Sequence, residues 1–152
     1  MGAKKGTGKR SIAGIIVFDG ERFLLLHRVL HWRGWEYPKG EIDAGESIGG
    51  AIARELFEET GIKKFELISF IDEVVFFDKF RNTDSDAKSY LVRVPSTVKV
   101  SFGNQPVEDG ARIIEHDKYK WCQPGEALKL LTHKDMKVAL GKAIKVLGIE
   151  VK

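Results

Sequence analysis

Three glutamates, Glu55, Glu58 and Glu59, stand three and four residues apart in the middle of the chain. In an α-helix this spacing brings all three carboxylates to adjoining positions on one side, where their like charges repel. A hard divalent cation such as Mg²⁺ prefers oxygen ligands and would neutralise such a cluster. The alternative is a solvated acidic helix face, softened by Arg54 and nearby lysines. We therefore treat the three glutamates as candidate metal ligands.

The segment around these glutamates carries the signals of a helix between two loops. Ser47 is suited to the N-cap because its hydroxyl can accept a hydrogen bond from a backbone N–H of the first turn. Gly61 predicts the end of the helix, since glycine readily adopts the left-handed conformation that closes one. The apolar residues at helical spacing that predict its buried stripe are Ile48, Ala51, Ile52 and Leu56.

Residues 40–62 resemble the box of the Nudix family: G, five residues, E, seven residues, then R-E-U-x-E-E-x-G-U, where U is bulky and aliphatic. The matching residues are Gly40, Glu46, Arg54, Glu55, Leu56, Glu58, Glu59, Gly61 and Ile62. The resemblance implies a single-domain α/β/α sandwich with a mixed β-sheet and a loop-helix-loop catalytic motif. It also implies a hydrolase that cleaves a nucleoside diphosphate linked to another group, using Mg²⁺ or Mn²⁺.

The resemblance also assigns roles within the box. The expected metal ligands are the backbone carbonyl of Lys39 and the carboxylates of Glu55, Glu58 and Glu59. Glu58 and Glu59 are the principal ligands, whereas Glu55 is either a ligand or a nearby base. Arg54 is expected to orient the glutamates through an ion pair with Glu46, because its guanidinium fork suits a structural role.

Nudix enzymes often add a carboxylate from outside the box, as a further ligand or general base. Glu115 is the preferred candidate here, and Glu108 and Asp109 are weaker ones that also fit ordinary loop positions. The neighbouring His116 is a possible base, with a hydrogen-bonding or surface role as the favoured alternative.

Composition limits the class of protein. The chain has 152 residues, 43% of them hydrophobic, which predicts one globular domain at 11–152 behind a flexible basic tail at 1–10. No apolar run reaches the roughly 20 residues that cross a bilayer, and the first residues lack the apolar core of a secretion signal. The single cysteine, Cys122, is expected to be a packing residue and suits the cytoplasm. A net charge of +3 is weak support for nucleic-acid binding, so we expect no specific nucleic-acid partner. We also expect no membrane partner, and the protein is expected to be a monomer or a homodimer.

The rest of the chain predicts a mixed α/β domain. Strands are expected at 11–18 and 22–28 around a hairpin turn at Asp19-Gly20, and at 88–94, 98–102 and 119–122, while 65–77 is either one long bent strand or two strands. Loops are expected at 31–39, 78–87 and 104–110, and a short helix at 125–131. A final helix is expected to begin at a capping box of Thr132 and Asp135 and to end at Gly148. Trp35 is expected to pack in the core, whereas Trp32 is open between packing and base stacking.

The flanks of the box resemble one branch of the family. Residues 35–40 match the W-x-x-P-K-G entry of diadenosine polyphosphate hydrolases and diphosphoinositol polyphosphate phosphohydrolases. Residues 115–121 are similar to the E-H-x-x-Y-[RK]-W segment of animal-type diadenosine tetraphosphate hydrolases. The likeness extends over most of the chain and implies asymmetric hydrolysis of diadenosine tetraphosphate to ATP and AMP.

Those hydrolases hold an adenine between aromatic side chains and bind the polyphosphate through basic groups. The candidate stacking residues are Phe77, Phe80 and Tyr90, with core packing as the alternative for each. The candidate phosphate contacts are Arg28, Lys39 and Lys88, with an ordinary solvated or ion-paired side chain as the alternative. The chain departs from the family pattern beyond the box, where Asp78, Lys79 and Phe80 stand in place of an expected tyrosine.

Other functions remain open at this stage. Within the family the substrate could be diphosphoinositol polyphosphate, ADP-ribose, a nucleoside triphosphate or capped RNA. A Nudix-fold binding module without catalysis is a further alternative, although a pure binder does not need three clustered carboxylates. RNA binding through the basic tail is the last alternative, and no recognisable RNA-binding motif supports it.

Overall fold

The computed structural model describes residues 9–107 and 113–151. Within these residues the chain forms seven strands and three helices. They are β1 (Arg10–Phe18), β2 (Phe23–Arg28), β3 (Gly34–Glu36), β4 (Lys39–Glu41), α1 (Ile48–Thr60), β5 (Glu66–Asp78), β6 (Thr83–Arg93), β7 (His116–Cys122), α2 (Pro124–Leu130) and α3 (Lys134–Leu147). Arg10, predicted as the last residue of the basic tail, is the first residue of β1. In the described ranges no helix is long and apolar enough to cross a membrane.

The strands form one sheet whose main path is β3-β2-β1-β6-β5, with β4 paired to β1 and β7 paired to β2. β1 and β6 run parallel, from the pair of Arg10 with Ser85 to the pair of Phe18 with Arg93. The other strand pairs are antiparallel, so the sheet is mixed. A central strand that is buried on both faces usually has a nearly continuous apolar sequence, and β1 has one.

Alternate residues of β1 pack in two hydrophobic cores, one on each face of the sheet. Ile16 and Phe18 pack with residues of α2 and α3, whereas Ile15 and Val17 pack with residues of α1. Cys122 is buried in the first of these cores, and burial raises the pKa of its thiol to about 11, so its predicted packing role is confirmed. Helices on both faces of a mixed sheet confirm the predicted α/β/α sandwich.

The hairpin between β1 and β2 forms where the sequence predicts it. The Asp19 carboxylate accepts hydrogen bonds from the backbone N–H groups of Glu21 (2.9 Å) and Arg22 (2.6 Å). Gly20 has a φ of 104°, which favours glycine at this position. The four apolar residues at 23–26 that follow are all buried, confirming that this strand is covered on both faces.

The loop predicted at 78–87 is wrong, because most of it belongs to a long hairpin of β5 and β6. Asp84 pairs with Phe77 of β5, and Ser85 pairs both with Phe76 of β5 and with Arg10 of β1. From Ser85 onward pairing on both sides satisfies the backbone, so the low strand propensity of these polar residues is overridden. Residues 65–77, predicted as one long bent strand or two strands, lie mostly in the single strand β5, whose register shifts twice along β6.

Residues 31–39 are also more regular than the predicted loop. Trp35 lies in β3 opposite His27 of β2, and Lys39 opens β4 opposite Gly14 of β1. Trp35 is partly buried against the core on the α2 and α3 face, which confirms its predicted packing role. Three-residue strands carry too little sequence pattern to be recognised without knowing their partners.

The short strand predicted at 98–102 does not form. The backbone there bonds locally and to α1: the N–H of Val98 donates to the carbonyl of Pro95 (3.2 Å), and that of Ser101 to Thr60 (2.8 Å). Its apolar residues pack against the core on the α1 face, so alternation here reflects packing without strand pairing.

The capping box predicted for the final helix is wrong, although the predicted end of that helix is confirmed. The N-cap of α3 is His133, and the hydroxyl of Thr132 instead accepts a hydrogen bond from the backbone N–H of Trp35 at 2.8 Å. Gly148 closes α3 with a φ of 68°. Tertiary contact with β3 thus competes successfully with a local cap.

Candidate active site

Helix α1 presents the glutamates as the sequence predicts. The Ser47 hydroxyl accepts a hydrogen bond from the Gly50 N–H at 3.0 Å, and Gly61 closes the helix with a φ of 75°. Ala51, Ile52 and Leu56 are fully buried against the sheet. This anchoring fixes the rotation of α1 and therefore the direction of its carboxylates.

Arg54 is the centre of an ion-pair network in the box. It donates from Nε to Glu46 Oε2 (2.7 Å) and from Nη2 to Glu46 Oε1 (2.9 Å), so the predicted pair forms in a bidentate geometry. Its Nη1 lies 3.3 Å from Glu55 Oε1 and 3.5 Å from Glu58 Oε1. Hydrogen bonding to Arg54 lowers the pKa of Glu46 to about 2. The network holds two of the three clustered glutamates in place.

Glu55 is a buried carboxylate with incomplete hydrogen bonding. Its side chain packs directly against Gly40, where any Cβ atom would collide with the carboxylate. Among the described residues nothing hydrogen-bonds its Oε2 atom. Burial, aided by the charges of Glu58 and Glu115, raises the pKa of Glu55 to about 7 despite the opposing effect of Arg54. A carboxylate in this state is suited to bind a cation or to accept a proton near neutral pH.

Glu59 is 5% exposed and faces the loop that enters the box. The backbone N–H of Lys39 donates to its Oε1 at 3.2 Å. Burial raises the pKa of Glu59 well above its ordinary value, and the negative charges of Glu115 and Glu55 raise it further. The direction is the same for Glu58, where burial again is the largest cause.

Glu115 lies close enough to the box for its charge to raise the pKa of Glu55, Glu58 and Glu59 alike. Its backbone carbonyl accepts a hydrogen bond from the N–H of Val29 at 2.8 Å, which ties the start of β7 to the end of β2. The other candidates for this additional carboxylate, Glu108 and Asp109, lie outside the described residues.

The residues at this site fit a divalent cation by charge, although they do not form a finished cage. In the described ranges no three acidic, histidine or cysteine side chains already converge as metal ligands. The unpartnered Glu55 Oε2 and the raised pKa values nevertheless mark a surplus of negative charge that a cation would relieve. Mg²⁺ keeps several of its waters and needs few protein ligands. The side chains that could hold it are those of Glu55, Glu58, Glu59 and Glu115.

A cavity of about 620 Å³ is lined in part by Lys39, the residue directly before the box, whereas none of the box glutamates is among its lining residues. Among the described residues its basic lining consists of Arg10, Arg28, Lys39, Lys79 and Arg81. Its aromatic lining consists of His31, Trp32, Phe76, Phe77 and Phe80. Phosphates bind to cationic side chains and nucleobases stack on aromatic rings, and this cavity offers both.

Several predicted binding residues line this cavity, and two do not. Arg28, Lys39 and Phe80 face it together with Phe77. Tyr90 is only 7% exposed and packs in the α1-side core, so its predicted role as a stacking surface is wrong. An aromatic residue that pairs with a core position of β1 packs into the core, because burying its ring is favourable.

Lys88 is half-buried on β6, paired across the sheet with Ala13 and Glu73, and is absent from the lining of the cavity. Its predicted contact with phosphate is therefore not supported. The neighbouring β5 carboxylate gives Lys88 an ordinary cross-strand partner instead.

The sequence interpretation missed Glu36 and Arg10, and it left Trp32 open. Glu36 is fully buried and carries no motif signal, because only the fold brings its partners together. Arg10 binds Glu41 (3.4 Å) and Asp78 (3.3 Å) at the rim of the cavity. Trp32 lines the cavity, with the Arg28 guanidinium 5.8 Å from its ring centre.

A NUDIX-domain family model matches residues 8–142 of the chain. The chain is 30% identical over 137 residues to the Bis(5'-nucleosyl)-tetraphosphatase [asymmetrical] of Caenorhabditis elegans, covering 88% of this chain and 86% of that protein. It is 27% identical over 124 residues to an RNA pyrophosphohydrolase of Sulfurovum, covering 76% and 75% of the two chains.

Solved structures show the same fold. The C. elegans Ap4A hydrolase in a binary complex superposes with a TM-score of 0.75 at 24% identity, over 91% of this chain and 98% of that one. The Escherichia coli dihydroneopterin triphosphate pyrophosphohydrolase superposes with a TM-score of 0.73 at 21% identity, over 92% and 99%. The chain therefore belongs to the NUDIX family and is a Nudix pyrophosphohydrolase, an enzyme acting on acid anhydrides.

Proposed function

We propose that this protein hydrolyses dinucleoside polyphosphates, with diadenosine tetraphosphate cleaved asymmetrically to ATP and AMP in the presence of Mg²⁺. The observation that carries the proposal is the cavity of basic and aromatic side chains, whose lining includes Lys39, the residue whose backbone N–H donates to Glu59 of the box. A dinucleoside polyphosphate offers a chain of phosphates between two aromatic bases, which matches both kinds of lining.

The basic residues of the cavity pair with different carboxylates. Arg10 and Arg81 are engaged by Asp78, at 3.3 and 3.1 Å. Arg28 and Lys39 lie nearer the box and face the cavity above the buried Glu36. The second pair is therefore the proposed contact for the phosphates next to the scissile bond, since cations close to the reacting phosphoryl group stabilise its developing charge.

Phe80 is the proposed platform for a base. It is 80% exposed at the turn between β5 and β6, and its ring centre lies 6.0 Å from that of His31. His31 has a φ of 72°, a left-handed backbone conformation that few residues other than glycine adopt, and it lines the cavity. Stacking on such an aromatic face contributes about 1–3 kcal/mol per base. Trp32 offers a second aromatic face in the same cavity.

The chemistry proposed for the chain's own residues follows from their placement. A bound Mg²⁺ would neutralise phosphate oxygens and acidify a water molecule. Glu58, Glu59 and Glu115 would hold it, while Arg54 keeps the carboxylates oriented through Glu46. Glu55, whose pKa is raised to about 7, would accept the proton of the attacking water. The water oxygen bonds to phosphorus as the bond to the bridging oxygen breaks, which yields two phosphorylated products.

The C. elegans relative bears the name of the asymmetrical tetraphosphatase, and this supports diadenosine tetraphosphate as the preferred substrate. RNA pyrophosphohydrolases are also among the relatives, so 5′-triphosphorylated RNA is the second candidate. The open cavity is compatible with the 5′ end of either molecule. Diphosphoinositol pentakisphosphate, ADP-ribose, capped RNA and nucleoside triphosphates complete the set of substrates to be compared.

Product analysis on this set tests the proposal. The enzyme is incubated with each compound and Mg²⁺, and the products are separated by anion-exchange chromatography. ATP and AMP in equal amounts from diadenosine tetraphosphate is the expected result, and the Glu58→Gln variant serves as the control for contaminating activity. Release of pyrophosphate from triphosphorylated RNA with no cleavage of the dinucleotide would favour the second candidate. No turnover of any compound would favour a binding module.

A further inference from the structure

We infer that Glu36 is a positioning residue that holds Arg28 and Lys39 in place as a polyphosphate-binding pair. The inference rests on the proposed function, since it concerns the same cavity, but it assigns a role to a residue outside the Nudix box. Glu36 is fully buried, and a buried carboxylate must be compensated by cations or hydrogen bonds.

Among the described residues, the cations and hydrogen-bond donors that stabilise the buried charge of Glu36 all belong to the site. Its Oε2 accepts hydrogen bonds from Arg28 Nη1 (3.1 Å) and His116 Nε2 (2.8 Å). Its Oε1 lies 3.9 Å from Lys39 Nζ and has no hydrogen-bond partner among the described residues. One carboxylate therefore lies beneath two cations that line the cavity.

Without Glu36 these two cations would repel each other, and Arg28 would lose the partner that fixes its orientation. Arg28 already donates from Nε to the carbonyl of Leu30 at 2.9 Å, so its guanidinium is held at two points. Because these two contacts fix the plane of the Arg28 guanidinium, its remaining N–H donors have a defined direction. A guanidinium of defined orientation is what bidentate recognition of phosphate requires.

The sheet supplies the geometry for this arrangement. Strand β2 shifts register between His27 and Arg28, where it pairs with β7, and this irregularity sets Arg28 opposite His116. Such bulges redirect side chains and occur often beside functional sites. Glu36 lies on the neighbouring β3, paired with Leu26, so residues of β2, β3 and β7 meet at one carboxylate.

The network also joins the cationic and acidic sides of the site. His116 follows Glu115 directly in the chain, and the backbone N–H of Lys39 donates to Glu59. Glu36 contacts both His116 and Lys39 through their side chains. The positions of phosphate-binding cations and metal-binding carboxylates are thus linked through a single buried residue.

Binding of inorganic tripolyphosphate tests this role without requiring any nucleotide substrate. Affinity is measured by calorimetry in EDTA at fixed ionic strength for the wild type, Glu36→Gln, Arg28→Gln and the double variant. Glu36→Gln is expected to weaken binding about tenfold, because it removes one charge-assisted hydrogen bond to Arg28. In the Arg28→Gln background the same substitution is expected to have a smaller effect, since only the contact of Glu36 with Lys39 then remains.

Asp72→Asn is the matched control. Asp72 is also a buried carboxylate with a single cation nearby, Lys142 Nζ at 3.4 Å, and it does not line the cavity. Its variant should bind tripolyphosphate as the wild type does. Equal weakening in Asp72→Asn would show a general loss of structure and overturn the inference.

The sign of the effect is itself decisive. If Glu36 merely places a negative charge near the substrate, its neutralisation should strengthen anion binding. Unchanged or tighter binding by Glu36→Gln would therefore overturn the positioning role, and so would absence of tripolyphosphate binding by the wild type. With a hydrolysed substrate, KM should rise about tenfold with kcat less affected. Failure of diadenosine tetraphosphate as a substrate would contradict the proposed function and leave the tripolyphosphate result intact.

A measurement on the unmodified protein covers the case in which Glu36→Gln does not fold. A guanidinium held by Glu36 and Leu30 should give separate, slowly exchanging Nη proton signals for Arg28 in NMR spectra. The exposed Arg33 should give averaged signals in the same spectra. Averaged signals for Arg28 as well would show that it is not fixed, and would overturn the inference.

Discussion

The carboxylate of Glu55 packs against Gly40, in the position that a Cβ atom on residue 40 would take. The first glycine of the box is therefore required by packing against Glu55 of α1, which follows it by 15 residues in the chain. The contact brings a buried carboxylate against the backbone of β4, next to Lys39, and so joins the entry loop to α1.

Gly40→Ala should therefore lower kcat on the order of 100-fold, because Glu55 would have to move by about an ångström or more. Gly49→Ala is the matched control, since a Cβ there meets open space on α1. That variant should keep full activity and gain up to about 1 kcal/mol of stability. The two kcat values, measured side by side with thermal unfolding, check this. Full activity in Gly40→Ala would contradict the packing described.

Glu58→Gln should lower kcat on the order of 100-fold or more while leaving the unfolding temperature nearly unchanged, because it removes a proposed cation ligand from a partly exposed position. The exposed Glu66→Gln is the control. Rates are measured over a range of Mg²⁺ concentrations to separate weakened metal binding from lost chemistry. A wild-type rate at saturating Mg²⁺ would remove Glu58 from the mechanism.

Stability of the metal-free protein should fall as pH rises from about 5 to 7.5. The folded-state pKa of Glu55 is raised to about 7, so between its ordinary value of 4.5 and 7 the folded state binds more protons than the unfolded chain. Under that condition the free energy of unfolding decreases with pH, by up to about 2 kcal/mol for one such group. The raised pKa of Glu59 acts in the same direction.

Thermal unfolding in EDTA and in Mg²⁺ across this pH range provides the measurement. Mg²⁺ should raise the unfolding temperature more at pH 7.5 than at pH 5.5, since it binds the ionised carboxylates. Glu55→Gln should flatten the dependence on pH in EDTA. A metal-free protein that becomes more stable between pH 5 and 7.5 would contradict the proposed surplus of negative charge.

Phe80→Ala should raise KM for diadenosine tetraphosphate about tenfold with kcat little changed, because it removes a stacking surface remote from the scissile bond. Val75→Ala is the control, since Val75 is also an exposed apolar residue of the same hairpin and does not line the cavity. Steady-state kinetics of the two variants give the comparison. An unchanged KM in Phe80→Ala would exclude this residue as the base platform.

The sequence predicts those parts of the site that are local. The cap at Ser47, the end at Gly61 and the pair of Arg54 with Glu46 all depend on residues within one loop-helix-loop segment, and all form. Most strands and helices follow from periodicity, and the α/β/α layers follow from the family resemblance. These features need no knowledge of distant parts of the chain.

The features that escape the sequence depend on contacts between distant segments. Glu36 gains its partners from β2 and β7, far apart in the chain, so no spacing rule indicates it. The wrong loop at 78–87 and the wrong role for Tyr90 have the same origin, since neighbouring strands decide both. Thr132 bonds Trp35 instead of capping α3 for this reason too.

The specificity constant for diadenosine tetraphosphate, compared with that for a 5′-triphosphorylated RNA oligonucleotide, tests the central claim most directly. Both kcat/KM values are measured with Mg²⁺ on one preparation, with products identified. The account predicts that the dinucleotide is preferred by at least about tenfold and yields ATP and AMP, because its second base finds the aromatic lining of the cavity. Preference for the RNA, or cleavage of the dinucleotide to two ADP molecules, would contradict it.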